Sequence, residues 1–304
     1  MIIRAVRPSW SGLQARGVPL LLRALAWLPS PMVEGILGLV GLTQAFLEPS
    51  RARRAFAWAA SQPETGKGKW RLALSLLFNR GRLLAIVASP ARMTPESFLR
   101  RVVLEGVPHL EAARKQGGTI LLGFHLGPNV AGMAFRAHGY TFTATGEGWN
   151  FKGWPRARTE WRLIPRRDGH VLWPGPDPAV RGAGLYRVRR ALLAGRTVRI
   201  TADGRSGKEA FRIAVPGGQV VIRAGWWILR RQTGATTLPV LAHRQGPKVV
   251  VTVHAALPAP TPDPLQDLAA CRDALSRLLQ EYVRRFPEQC VSLALWSLKN
   301  EGSR

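Results

Sequence analysis

Apolar residues recur along the chain with two spacings that alternate from about residue 100 onward. Thr119–Gly123 with Phe124 is a continuous apolar run of strand length, preceded by Gly117-Gly118, and it predicts a buried strand. Pro128 suits the first position of a following helix, because its missing N–H would be unpaired there anyway. That helix is expected over Asn129–His138, stopped by Gly139, with a strand over Tyr140–Thr145 after it. Val107–Gln116 reads as a helix, Leu185–Leu193 as another closed by Gly195, and Thr197–Ala202 as a strand. A short strand over Phe211–Val215 ends at Pro216-Gly217-Gly218, and a helix is expected over Val221–Gln232. Thr236–Leu241 reads as a strand, at an edge or ending there because Pro239 cannot donate to a ladder. Lys248–Ala255 alternates cleanly, as an outer strand would, and a Pro-rich link over 258–264 leads to an amphipathic helix over Leu265–Phe286. Strands alternating with helices predict an α/β fold with a mainly parallel central sheet flanked by helices.

The first hundred residues read differently. Residues 18–47 are apolar but interrupted by Arg23, Pro29, Pro31 and Glu34. Gly35–Leu47, the longest uncharged piece, is shorter than the ~20 residues a spanning helix needs. Two short helices broken at Pro29-Ser30-Pro31 are expected, lying in a membrane interface or packed on the domain; a tilted single span over 24–47, carrying Glu34, is the alternative. Residues 50–60 and 70–88 are helical with basic faces, and Thr94-Pro95-Glu96 is a helix start. The chain therefore divides into an N-terminal helical, membrane-associating region over 1–106 and an α/β core with C-terminal helices over 107–304. Within the core, 147–184 is rich in Gly, Pro, Trp and Arg, without period. It reads either as a loop contacting phosphate or headgroups or as a solvated charged loop.

Charge changes the picture more than composition does. Forty-four Lys and Arg against eighteen Asp and Glu give a net charge of +26, which implies an acidic partner. No zinc-finger spacing, helix-turn-helix signature or aromatic RNA-binding strand accompanies it, so nucleic acid is not expected. Eleven tryptophans interleaved with arginine fit a membrane interface. Cys271 and Cys290 match no metal or redox spacing and, with no signal-peptide pattern, read as reduced thiols in a cytoplasmic setting. His109, His138, His170, His243 and His254 show no metal-ligand spacing, so neither metal nor cofactor is expected.

Two polar residues stand immediately after buried strands, His125 and Asp203. If those strands are parallel neighbours, both side chains emerge at the carboxyl edge of the sheet, where ligands of open α/β sheets bind. A histidine there is a candidate general base, and the glycines around Asp203 would let backbone N–H groups approach an anion.

The Gly117–Gly127 block around His125, the Gly195–Gly207 block around Asp203, the run from Gly225 to Val240 and the Phe286-Pro-Glu-Gln segment together resemble the lysophospholipid acyltransferase superfamily, closest to the bacterial lipid A biosynthesis (lauroyl/myristoyl) acyltransferases, over about residues 107–296. Gly117-Gly118-Thr-Ile-Leu-Leu-Gly-Phe-His125-Leu-Gly resembles the family's histidine block. Gly195-Arg-Thr-Val-Arg-Ile-Thr-Ala-Asp203-Gly204-Arg-Ser206-Gly resembles its acidic-Gly block, and the run from Gly225 to Pro239-Val is similar to the one ending in its proline block. Phe286-Pro-Glu-Gln-Cys-Val resembles a segment near the C-termini of these enzymes.

The resemblance implies that His125 takes a proton from an acceptor hydroxyl, which attacks an acyl thioester of acyl carrier protein or coenzyme A. It implies a phospholipid or glycolipid acceptor and an anionic membrane surface. The setting would be the cytoplasmic face of the bacterial inner membrane, with peripheral attachment or a single N-terminal anchor. Gly127, Asn129, Gly204, Arg205, Ser206 and Pro239 are candidate substrate-binding residues, and Arg205 with Arg166 or Arg167 could hold acceptor phosphate bidentately. In the family the histidine is followed, after four residues, by Asp or Glu; here that position is Val130. Three readings are open. Glu147 or Asp203 supplies the missing catalytic carboxylate; Asn129 or a backbone carbonyl orients the ring; or the fold has kept only lipid or carrier binding.

Overall fold

In a computed structural model, residues 28–63, 68–88, 95–146, 170–172, 178–203 and 210–296 are described. Four helices come first: α1 (Ser30–Leu47), α2 (Pro49–Ser61), α3 (Lys69–Ala88) and α4 (Pro95–Leu99). The core then runs β1 (Val102–Glu105), α5 (Val107–Gln116), β2 (Thr119–Gly123), α6 (Ala131–Ala137), β3 (Thr143–Gly146) and β4 (His170–Leu172). It continues with α7 (Pro178–Leu193), β5 (Thr197–Thr201), β6 (Ala210–Val215), β7 (Gly218–Arg223), α8 (Gly225–Thr233), β8 (Thr236–Gln245) and β9 (Lys248–Val253). It closes with α9 (Pro264–Arg285), a 3₁₀ turn at Pro287–Gln289, and α10 (Val291–Trp296).

Seven strands form one sheet in the order β1-β9-β8-β2-β5-β3-β4. Five of them, β8, β2, β5, β3 and β4, run parallel; β1 and β9 pair with each other in parallel and join the rest through the antiparallel β8–β9 contact. The mainly parallel sheet expected from the alternation of elements is present. Its centre is β2, every residue of which is buried. Alternate residues serve different layers. Leu122 joins the helices α2, α3, α9 and α10 and the β6–β7 hairpin on one face, and Leu121 joins α5 and α6 on the other.

Several expectations are corrected. The helix after β2 begins at Ala131, not Asn129. Gly127 (φ 69°) turns the chain and the Val130 N–H closes on the Pro128 carbonyl, so the first helical turn forms only beyond Val130. The strand expected over Tyr140–Thr145 starts at Thr143, because the Tyr140 N–H is still bound to the Phe135 carbonyl. The helix over Leu185–Leu193 extends back to Pro178.

The helix expected over Val221–Gln232 is a strand, β7, followed by α8 from Gly225. Pro216-Gly217 makes the tight turn of a hairpin in which Val220 and Ile222 alternate inward. Pro239 lies inside the central strand β8, not at an edge. Its carbonyl accepts from His254, just past the end of β9, so its missing N–H also lies on the β9 side, beyond the last matched pair Val240–Val253, and costs no bond to β2, which Thr236 and the residues alternating with it face. Lys248–Val253 is the second strand, not the outer one. The edge is β1, a four-residue strand that the sequence pattern did not single out, and it places a sheet strand before residue 107.

The N-terminal helices are packed on the domain. Glu34 of α1 is buried and paired with Arg82 of α3, Arg101 beside β1 and Arg244 of β8. Helices α1 and α3 approach until a Cβ on Gly81 would stand 1.7 Å from the Leu37 carbonyl oxygen. Among the described residues no helix is long and apolar enough to cross a membrane; the first of the two short helices expected before Pro29 lies outside them.

Candidate active site

The register of β2 and β5 builds the site. Gly123 faces Thr201, and the ladder runs one residue further through the Ala202 N–H to the Gly123 carbonyl at 2.9 Å. His125 and Asp203 each lie two residues beyond that matched pair, so the chain delivers them side by side at the carboxyl edge. His125 Nδ1 is 2.9 Å from Asp203 Oδ1, and the His125 backbone N–H donates to Oδ2 at 2.8 Å. A carboxylate that grips both the ring and the backbone of one residue fixes χ1 and the ring plane together. It also sets the tautomer: an ionised carboxylate only accepts, so the proton sits on Nδ1 and Nε2 carries the free lone pair. The His125 side chain is 39% exposed and that of Asp203 12%, so the imidazole is open to a reactant while its partner is covered.

Val130 explains why the carboxylate comes from elsewhere. It is fully buried in the apolar layer with Phe135 and Leu121, where an acid would be desolvated and unpaired. Of the three residues expected as orienting groups, Glu147, Asp203 and Asn129, the structure brings Asp203 to His125. Glu147 lies outside the described residues, as do Gly204, Arg205, Ser206, Arg166 and Arg167. The Asn129 side chain is turned to Arg199, whose Nη2 donates to its Oδ1 at 2.9 Å. Burial lowers the pKa of Arg199 below the ordinary guanidinium value, and the charge of Asp203 acts in the opposite direction.

Gly127 is at a close approach. A Cβ there would meet the Ala242 carbonyl oxygen at 2.1 Å and the Tyr282 hydroxyl at 2.2 Å. Tyr282, on α9, donates to that same carbonyl at 2.6 Å, and burial pushes its phenol well above the usual value. Pro239 sits opposite Leu122 of β2. The Phe286-Pro-Glu-Gln segment grips the end of β8: Gln289 accepts from the Arg244 N–H at 2.6 Å and donates to its carbonyl at 3.0 Å, and Phe286 stacks on His243.

Arg199, Tyr282 and Gln289 were not marked as site residues by sequence. Two signals exist in the sequence, Arg199 as the one charge inside the strand Thr197–Thr201 and Gln289 as a member of the Phe286-Pro-Glu-Gln segment; Tyr282 carries no local mark. Among the described residues no group of three or more His, Cys, Asp or Glu side chains is placed to hold a metal ion. Cys271 and Cys290 are free and buried, and burial raises both thiols.

A covered carboxylate beside an open imidazole at the carboxyl edge of an α/β sheet is an arrangement able to accept and return a proton. The chain belongs to the bacterial lipid A biosynthesis acyltransferase family, whose sequence model matches residues 17–294. It is thus an acyltransferase of lipid substrates, and the match reaches well into the N-terminal helical region. No curated protein matches the chain. Among solved structures it is similar to the 1-acyl-sn-glycerophosphate (LPA) acyltransferase PlsC from Thermotoga maritima. The likeness covers 88% of this chain and 98% of that one, at 16% identity and a TM-score of 0.39.

Proposed function

We propose that this protein moves a fatty acyl chain from a thioester of acyl carrier protein or coenzyme A to a hydroxyl of a phospholipid or glycolipid acceptor, with His125 as general base. The observation that carries the reading is the pairing of His125 with Asp203. Nε2 removes the hydroxyl proton as the acceptor oxygen attacks the thioester carbonyl. The tetrahedral intermediate collapses with cleavage of the C–S bond, and the proton passes from Nε2 to the departing sulfur, leaving an ester and a free thiol. Asp203 keeps Nδ1 protonated and stabilises the transient imidazolium. Gly204 and Ser206, one and three residues on in sequence, are proposed to bind the substrate. Arg205, with Arg166 or Arg167, would hold acceptor phosphate. Glu147 stays a candidate second carboxylate.

The setting proposed is the cytoplasmic face of the inner membrane. Met32, Leu39 and Phe46 are exposed at seven-residue spacing on α1, with Leu47 beside Phe46, and Trp70 and Leu74 are exposed on α3. Such a stripe on a chain of net charge +26 suits the interface of an anionic leaflet. The same charge favours docking of an acidic carrier protein.

The test is mass spectrometry of acyl transfer by the purified protein, with carrier-protein or coenzyme A thioesters of mixed chain length and bacterial lipid extract, beside His125→Ala. A new acylated lipid that disappears in the variant is expected. Matching traces, with lipid bound equally by both proteins, would overturn the reading in favour of a binding protein on the same fold.

A further inference from the structure

Arg199 is a charge placed in the interior of the catalytic half of the sheet. Its backbone on β5 faces Leu121 of β2 and Ala144 of β3, both of which belong to the apolar layer under α6. From there the side chain crosses β2 where that strand has no side chain to meet it. A Cβ on Gly123 would stand 3.5 Å from Nη2 and 3.7 Å from Nε, and one on Gly132, in the first turn of α6, 3.8 Å from Nη1. The guanidinium is therefore wedged between strand and helix and directed at the loop that joins them, where Nη2 holds the Asn129 oxygen. The Thr145 hydroxyl donates to the Arg199 carbonyl at 3.2 Å, tying the arginine backbone to β3.

The loop over 126–130, immediately after His125, is pressed at Gly127 against Ala242 and Tyr282, and its far end enters the apolar layer at Val130. Between these points Asn129 is the residue with a polar tether, and the tether is Arg199. A desolvated guanidinium bound to a neutral amide is a costly arrangement, and here the nearby Asp203 charge favours its ionised form. The same side chain thus holds the loop that follows His125 while lying within reach of the charge of Asp203.

We propose that Arg199 is a positioning residue of the acyl-transfer site: by holding Asn129 it fixes the loop carrying His125, in a chain where Val130 stands at the position of the family's carboxylate. The inference rests on the acyl-transfer reading for its catalytic consequence, and on geometry alone for its structural one.

The experiment uses full-length Arg199→Met, Asn129→Ala and the double variant. In the thioester assay each single variant is expected to lower kcat by about 10²-fold, the scale on which small misplacements act, with KM changed by less than about threefold. Because both remove one contact, the double variant should be no slower than the slower single one. Hydrogen exchange of peptides covering 125–131 should accelerate about tenfold or more in Arg199→Met while the strands β8 and β9 keep their protection. A kcat within about twofold of wild type, additive losses in the double variant, or a rise in KM at constant kcat would each overturn the proposal. If wild type itself fails to transfer acyl groups, the acyl-transfer reading falls, and the exchange measurement still decides about Arg199: unchanged protection at 125–131 overturns its role.

Discussion

Two aspartates in this chain are gripped by side chains of distant elements, and they are built in opposite ways. Asp267 on α9 is fully buried and its oxygens are consumed: Trp227 donates at 2.7 Å, Arg231 pairs at 3.3 Å and Arg230 at 3.5 Å. Two charges and an indole surround one carboxylate, and both cations have further acceptors in the carbonyls of Pro258, Thr261 and Pro262. The cluster fastens α8 and the Pro-rich link to α9 and leaves no open group. Asp203 is also covered, but its partners are the backbone N–H and the ring of a single histidine whose side chain stays 39% exposed. A carboxylate saturated by fixed cations holds elements together; one that orients a group with an open valence prepares chemistry. Glu34, buried among three arginines, belongs to the first kind.

The largest effect is expected where the open valence is lost. Asp203→Asn keeps the size of the side chain but lets an amide donor face Nδ1, which favours the wrong tautomer. Turnover should fall by about 10³–10⁴-fold, as it does when an orienting aspartate is lost from a histidine site. The melting temperature should stay close to that of wild type. An Asn variant with more than about a tenth of wild-type kcat would remove Asp203 from the mechanism.

The converse variant acts on stability. Asp267→Ala leaves Arg230, only 1% exposed, with an uncompensated charge in the interior. Breaking one side of such a buried pair costs about 3–5 kcal/mol, read as a lower urea midpoint at an unchanged m value. Turnover per folded molecule should stay at the wild-type level, because Asp267 touches no part of the proposed site. If Asp267→Ala lowered kcat while leaving the midpoint alone, the division between the two kinds of carboxylate would be wrong.

The division also marks what could be read from sequence. Both members of the His125–Asp203 pair are visible as polar residues directly after apolar strand-length runs, and for His125 the limit is sharp because β2 is buried on both faces and carries no alternation to confuse it. The α5 helix and the long α9 helix were legible from period and punctuation. Which carboxylate meets His125 was not: Glu147 and Asp203 were equivalent until the register of β2 against β5 matched Gly123 with Thr201. The β7 strand was lost because Val220–Ile222 runs without a break into the helical stretch from Gly225, and only pairing with β6 separates them. The seat of Glu34 depends on arginines 48, 67 and 210 positions away, at 82, 101 and 244. No local pattern carries such a contact, and the same glutamate in sequence reads as an interruption of an apolar segment.

The smallest effect concerns protons. His254, just past β9, is partly buried, and that burial lowers its pKa below the ordinary histidine value, with the nearby charge of Glu281 opposing the shift and His109 and His243 reinforcing it. His243, stacked on Phe286, is shifted down for the same first reason, with Glu105 acting against it. A histidine whose folded pKa is depressed binds fewer protons folded than unfolded between the two values. Its neutral form therefore contributes stability that is present above the unfolded value of about 6.5 and is lost as pH falls from there through the lower folded value. Stability measured by urea titration should decline from pH 7.5 toward pH 5. His254→Gln, which cannot take up a proton, should show a shallower decline over the same range. A decline equally steep in the variant would assign the acid sensitivity to other groups; a rise in wild-type stability toward pH 5 would mean that neither histidine is held neutral by its burial.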